Sequence, residues 1–246
     1  MKRRLLLACL VLGLLLAPGL RAQVGLESAW RTRLHDIDRH LRAGKYRAAQ
    51  RESRRLAHQM VEGLGTGQSA AYTLAVTCAF RAIAERGLGN DADASWYWWT
   101  AHRVFPDITK ADLSPYGEPA RALQEEKFRA RDGKPELVDW STKGLKPPVI
   151  TKKNPPSYPS TLLHMGVRAV YVAQVVVEPD GSLTGPLVFQ SAREPAMVYV
   201  VLEAIHHWHF EPATLDGHPV PCLHMVTVNF KINGLPTSEQ KTPPQH

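Results

Sequence analysis

"AIHHWHFEPATLDGHPVPCLH", residues 204–224, carries five histidines and a cysteine within twenty-one positions. Two readings compete. His206, His207, His209, His218, His224 and Cys222 have the donor chemistry of a transition-metal site, which needs three or four ligands converging at about 2.0–2.3 Å. The same residues also read as a helix end, a Trp-x-Phe core anchor, an Asp-Gly turn and the start of a strand. The first makes the chain a metalloprotein and the second a binding module. The flanking sequence decides between them.

Upstream, "RAVYVAQVVVEPDGSLTGPLVFQSA" (168–192) has a period of two, with Val170, Val172 and Val176 set against Tyr171, Ala173, Val175 and Val177. It turns at Pro179-Asp180-Gly181 and returns through Leu183, Leu187 and Phe189, a β-hairpin in which Gly181 supplies the positive φ. "REPAMVYVVLEAIHHW" (193–208) places Ala196, Val200, Ala204 and Trp208 in one stripe, with Met197 and Val201 beside it. That predicts an amphipathic helix opened by Glu194-Pro195. Downstream, "LHMVTVNFKI" (223–232) alternates Met225, Thr227, Asn229 and Lys231 against Val226, Val228, Phe230 and Ile232, a last strand. With a short helix from Pro159 to Met165, the region 156–234 reads as a small α+β domain.

This region resembles the C-terminal domain of the TonB energy-transducer family. The resemblance rests on Tyr158-Pro159, Gly166-Val167, Pro179-Asp180-Gly181 and Ser191, then Ala204 followed by Trp208-x-Phe210-x-Pro212-Ala213. Asp216-Gly217-x-Pro219-Val220 and Val228-x-Phe230 complete it. It implies a three-stranded antiparallel sheet with two helices, in which Trp208 and Phe210 are core residues. His206, His207 and His209 then occupy variable surface positions, with His218 in the turn and His224 on the last strand. The best metal set in the stretch, His206, His209, Cys222 and His224, matches no established zinc spacing. No metal or other cofactor is expected.

The resemblance also implies a partner. Domains of this family act in the periplasm by pairing with an extended segment of an outer-membrane transporter, through strand addition at a free sheet edge. The last strand is the expected edge, with Leu223, Met225, Thr227, Asn229 and Lys231 as candidate partner-binding residues. A periplasmic protein other than a transporter, or a second copy of the chain, could take the same edge. Ala169 departs from the family, standing where it prefers glycine.

Before residue 135 the pattern is helical. Trp30, Leu34, Ile37 and Leu41 form one apolar stripe, and breaks at Gly44, at 62–69 and at Gly89 separate four helices. Gly89, Ala94, Trp98, Ala101 and Pro106 resemble the second half of a tetratricopeptide repeat, with Gly44, Tyr46 and Ala49 as a weaker copy. The expected fold is thus multidomain, with tetratricopeptide-like hairpins over 23–134 preceding the α+β domain. "WYWW" (96–99) is expected to pack on the preceding helix and on "LSPYGEPARAL", and Trp96 or Trp99 lining a peptide groove is the alternative. Residues 135–155 read as a proline-rich linker, extended and locally stiff, and 235–246 as a disordered tail.

Residues 1–22 read as a secretory signal peptide: Lys2 to Arg4, an apolar run from Leu5 to Ala17, Pro18-Gly19, and Ala22 before Gln23. The run falls short of the roughly 20 residues that span a bilayer. A periplasmic location follows, the alternative being an uncleaved inner-membrane anchor and an energy transducer. Removing Lys2, Arg3, Arg4 and Arg21 takes the formal charge from +7 to +3, which leaves no nucleic-acid footprint. Cys78 and Cys222 fall in different regions and are not expected to pair. No Gly-x-Ser-x-Gly, phosphate-loop or His-Glu-x-x-His motif is present. The chain is therefore read as non-enzymatic, a TonB-like periplasmic binding protein linked to outer-membrane transport, with a histidine-rich metal binder as the outside alternative.

Overall fold

The computed structural model describes residues 18–63, 68–131, 133–164, 169–188 and 194–230. Helix α1 (Pro18–Arg42) buries Trp30, Ile37 and Leu41, with Leu34 packed on the same core. It ends at Gly44, whose φ of 66° reverses the chain into α2 (Tyr46–Gly63). Helix α3 (Gln68–Gly87) turns at Gly89 (φ 80°) into α4 (Asp91–Val104), and consecutive helices pack on one another. A Cβ at Gly87 would lie 2.6 Å from the Tyr46 ring, so the end of α3 meets α2 only because that residue is glycine. Ala94, Trp98 and Ala101 are buried, and Pro106 ends α4 by opening a 3₁₀ turn, Pro106–Lys110. A second 3₁₀ turn (Ser114–Tyr116) and α5 (Glu118–Glu125) close the helical region.

The C-terminal module contains a short α6 (Ser160–His164), the hairpin β2 (Ala169–Val177) and β3 (Leu183–Val188), then α7 (Pro195–His206) and a long final strand. That strand, β7 (Cys222–Phe230), pairs with β2, so the antiparallel sheet runs β3-β2-β7. Asp180 accepts the Ser182 amide across the hairpin tip, and Gly181 has φ 80°. A Cβ on Gly181 would also lie 2.2 Å from the Phe210 carbonyl oxygen, so this position needs glycine twice over. Trp208 is buried and donates its indole N–H to the Asn154 carbonyl at 2.7 Å.

The proline-rich segment does not span open space. Its strand β1 (Val149–Lys152) pairs with β4 (His209–Glu211), and Lys146 bridges Thr214 of β5 (Ala213–Leu215). β5 in turn pairs with β6 (His218–Val220) across the Asp216-Gly217 turn, with Pro212 just ahead of it. Further upstream Val138 bridges Cys222.

One expectation needs correcting. The helix read as amphipathic, α7, is buried on both sides: Met197, Val201 and Ile205 are fully buried, and on the opposite side Tyr199 is fully and Glu203 nearly buried. Both sides are covered because the sheet packs on one and the helical region on the other, where Glu203 and His206 find polar partners. The Tyr199 side meets His58 of α2, Arg81 of α3 and Trp96 of α4. The four aromatics 96–99 are accounted for in the same way. Trp96, Tyr97 and Trp98 are buried because α4 packs on α3, α7 and β3 at once. Helical region and α+β domain therefore share one continuous core. Residues 1–17, Gly166, Phe189, Ser191, Lys231 and 235–246, on which several expectations fell, lie outside the described residues. Among the described helices, none is long and apolar enough to cross a membrane.

Candidate functional site: two sheet edges and the joint behind them

β7 pairs with β2 along its whole length, from Cys222 opposite Val177 to Phe230 opposite Ala169. Ala169, with its Cβ, thus enters the ladder as its first residue. Val226, Val228 and Phe230 are buried, whereas Met225, Thr227 and Asn229 stand exposed and Leu223 is half-buried. In an antiparallel pair every second residue of an edge strand points its N–H and C=O away from the sheet. Among the described residues, no hydrogen bond reaches that outer side between His224 and Phe230. At its start the edge is already occupied: the Val138 amide donates to the Pro221 carbonyl at 2.9 Å. The open stretch is therefore His224 to Phe230.

On the other side of the sheet two arginines reach the main chain, Arg129 at the β2–β3 bulge, where its Nη2 also lies 3.4 Å from the Gln174 carbonyl of the central strand. Arg129 donates through Nε and Nη2 to the Gly185 carbonyl, both at 3.0 Å, and through Nη1 to Gln174 Oε1 at 2.9 Å. Arg103 of α4 reaches the Pro186 carbonyl at 3.4 Å. Phe128 sits between the two guanidiniums, 4.7 Å from Arg103 and 4.9 Å from Arg129. Burial pulls both arginines below their ordinary pKa. A Cβ at Gly185 would lie 2.5 Å from Arg129 Cγ, so glycine makes room for the arginine. Charged side chains, proline and bulges at an edge all hinder strand pairing.

Behind the sheet lies a polar joint. Arg81 and Glu203, both nearly buried, pair at 3.2 Å, and Arg81 lies 3.6 Å over the Tyr97 ring. Burial alone would raise the Glu203 carboxyl, but His207 and Arg81 beside it hold it well below the usual carboxylate range. His206 contacts Asp93 at 3.0 Å and stacks on Trp96 with centroids 4.7 Å apart. A cleft of about 580 Å³ opens between Trp99, Glu126, Arg129 and Glu178. Its carboxylates are taken up internally, Asp91 and Glu126 by Arg86 and Glu178 by Arg131.

The histidine-rich stretch spreads across the module. His206 is nearly buried against the helical region rather than on the surface, His209 is exposed on β4, and Cys222 is buried. His224 is half-buried edge-on to Phe210 at 5.7 Å, with burial lowering its pKa. Among the described residues, no three His, Cys, Asp or Glu side chains are grouped to share an ion. Sequence reasoning missed Arg103, Arg129, Val138 and the Arg81–Glu203 pair. Their partners lie 83, 56 and 122 positions away for Arg103, Arg129 and Arg81, so no local pattern marks them.

Comparison with known proteins finds matches to the C-terminal part of the chain. The family model described as Gram-negative bacterial TonB protein C-terminal matches residues 154–232. Protein TonB of Xanthomonas campestris pv. campestris (strain B100) is 30% identical over 96 residues, 39% of this chain and 40% of that protein. Protein TonB of Vibrio cholerae serotype O1 is 28% identical over 100 residues, 41% of this chain and 38% of that protein. The chain thus spans about 40% of the length of the curated relatives it matches. The solution NMR structure of the Pseudomonas aeruginosa TonB C-terminal domain is 21% identical with a TM-score of 0.33, covering 41% of this chain and 98% of that one.

Proposed function

From the premise that residues 154–232 form a TonB C-terminal domain, we propose that this chain is a non-enzymatic periplasmic protein that docks an extended segment of an outer-membrane transporter onto β7. The single observation that carries the reading is the asymmetry of the sheet. On the β3 side Arg129 fills the β2–β3 bulge, Arg103 reaches the Pro186 carbonyl and Pro186 has no N–H to offer, while β7 keeps its outer side unpaired from His224 to Phe230. Strand addition takes affinity from main-chain hydrogen bonds and specificity from the side chains flanking the added strand. Met225, Thr227 and Asn229 are the residues that flank it on the exposed face of the sheet. Leu223 lies beside the occupied start of the edge and contributes less, and Lys231 continues the same alternation in sequence. The helical region, read as tetratricopeptide-like hairpins, holds a second protein and carries it with the docked domain.

The test uses the full chain, because α7 is buried against the helical region. Isotope-labelled protein is titrated with ten-residue synthetic peptides tiling the periplasm-facing ends of outer-membrane transporters. The expected result is amide shifts concentrated between His224 and Phe230. Saturable peptide binding that shifts the helical region and leaves β7 unmoved, or no binding by any tiled peptide, would refute the reading.

A further inference from the structure

Trp140 is the most exposed large apolar side chain among the described residues, at 74%. One exposed indole by itself is ordinary on a protein surface. Its position sets this one apart. Two residues earlier, Val138 bridges Cys222 in parallel on the outer side of β7. The segment therefore starts along the very edge left open from His224 onwards.

It then leaves that edge in a closed turn. Asp139 Oδ1 accepts the Ser141 amide at 2.7 Å and the Ser141 hydroxyl at 2.5 Å, and the Thr142 amide donates to the Asp139 carbonyl at 3.0 Å. Such an Asx turn fixes the backbone at Trp140 rather than leaving it as a loose tip. Lys146, bridged to Thr214, anchors the far end of the loop. The indole is thus held at the end of the open edge, where a strand added along β7 would have to stop. Cys222 and Leu223 are shielded by Val138, so an added strand cannot run past this corner.

We propose that the 138–142 turn is a built-in end stop for the added strand, and that Trp140 packs against an apolar or aromatic side chain at that end of the partner peptide. The inference rests on strand addition at β7 and deepens it. It assigns a footprint, His224 to Phe230, and a chemistry, an extended segment with a large apolar residue at one end. Aromatic residues at such positions supply contact area at low entropic cost, and they dominate alanine-scanning losses.

The experiment measures affinity of the full chain, and of its Trp140→Ala and Trp140→Phe variants, for the tightest-binding peptide of the tiled set. Trp140→Ala is expected to raise Kd about tenfold, about 1.4 kcal/mol, and Trp140→Phe about threefold or less. Amide shifts on β7 should persist in both variants, because an exposed side chain is not needed for folding. Tryptophan emission should shift to the blue on binding in the wild type and not in Trp140→Phe. If β7 shifts on binding while both variants keep wild-type affinity, the end stop is refuted and strand addition stands. If no peptide perturbs β7 in any variant, both readings fall together.

Discussion

His102 shows how a single residue is set by its neighbours. Its ring lies 4.7 Å from the Trp98 ring and 4.6 Å from the Trp99 ring, and its Nε2 is buried without a partner. Burial, with Arg103 adding like charge, pulls its pKa from 6.5 down to about 4. The sign follows by linkage. Above about pH 6.5 both states are neutral there and His102 adds no pH dependence. Between about 6.5 and about 4 the unfolded chain takes a proton that the folded chain refuses, so stability falls as pH falls through that window. The ring is half-exposed and partly screened, so the loss between pH 7 and pH 5 should be about 1 kcal/mol. Urea midpoints for the wild type and His102→Phe at those two pH values check this. The variant should lose much less on acidification, and equal losses would rule His102 out as the source. The apolar stripe Trp30–Leu41 was legible in the sequence because a helix repeats every 3.6 residues. The setting of His102 was not, because "WYWWTAHR" is aromatic all round and favours no face.

At the scale of elements, the hairpin and the final strand were legible for the same kind of reason. Period-two alternation and a Pro-Asp-Gly turn are local, and the order helix, hairpin, helix, strand follows from them. What the sequence hid was the surroundings of each element. α7 reads as amphipathic although most of its apolar positions are buried on both sides, and residues 135–155 read as an extended, locally stiff linker although β1 pairs with β4. The two edges of the sheet differ in sequence, β3 carrying Gly185-Pro186 at a bulge and β7 an unbroken alternation, and they differ again in what the rest of the chain does to them. Arg129 is the residue to test. It satisfies the Gly185 carbonyl and the Gln174 side chain from a left-handed backbone, φ 56°, which a non-glycine residue rarely adopts. Arg129→Ala should cost about 1–2 kcal/mol for charged hydrogen bonds at a half-exposed site. It should also leave the Gly185 and Gln174 carbonyls at the β2–β3 bulge without their donor, loosening this side of the sheet and giving self-association that grows with concentration. Light scattering over a hundredfold dilution series reads this directly. A variant that stays as monodisperse as the wild type would mean that Arg103 and α4 suffice to block β3.

At the scale of the whole molecule, the boundary near residue 135 separates two sequence patterns and not two independent bodies. α7 lies within the stretch that the TonB C-terminal family model matches, yet Arg81 of α3 supplies the only cation that pairs with Glu203 among the described arginines and lysines. Any protein held by the helical region is then carried rigidly with the β7 edge, which a flexible tether would not achieve. A buried ion pair contributes little net stability against an apolar replacement, because desolvation offsets most of the attraction, but breaking one half of it is costly. Arg81→Met should therefore lose about 3–5 kcal/mol, since Glu203 keeps His207 as its one cationic partner among the described residues and buried Glu85 loses Arg81 as well. The pair Arg81→Met with Glu203→Leu should recover only part of that loss, because Glu85, buried 3.7 Å from Arg81, still loses its cation. Guanidinium unfolding followed by tryptophan fluorescence and by far-ultraviolet circular dichroism separates the possibilities. Coincident single transitions in the wild type mean that the two regions unfold as one unit. A single mutant whose fluorescence transition precedes its dichroism transition would show the joint opening first. A single mutant as stable as the wild type would mean that Glu203 is not held as an anion between the two regions, and the rigid coupling argued from that pair would fall with it.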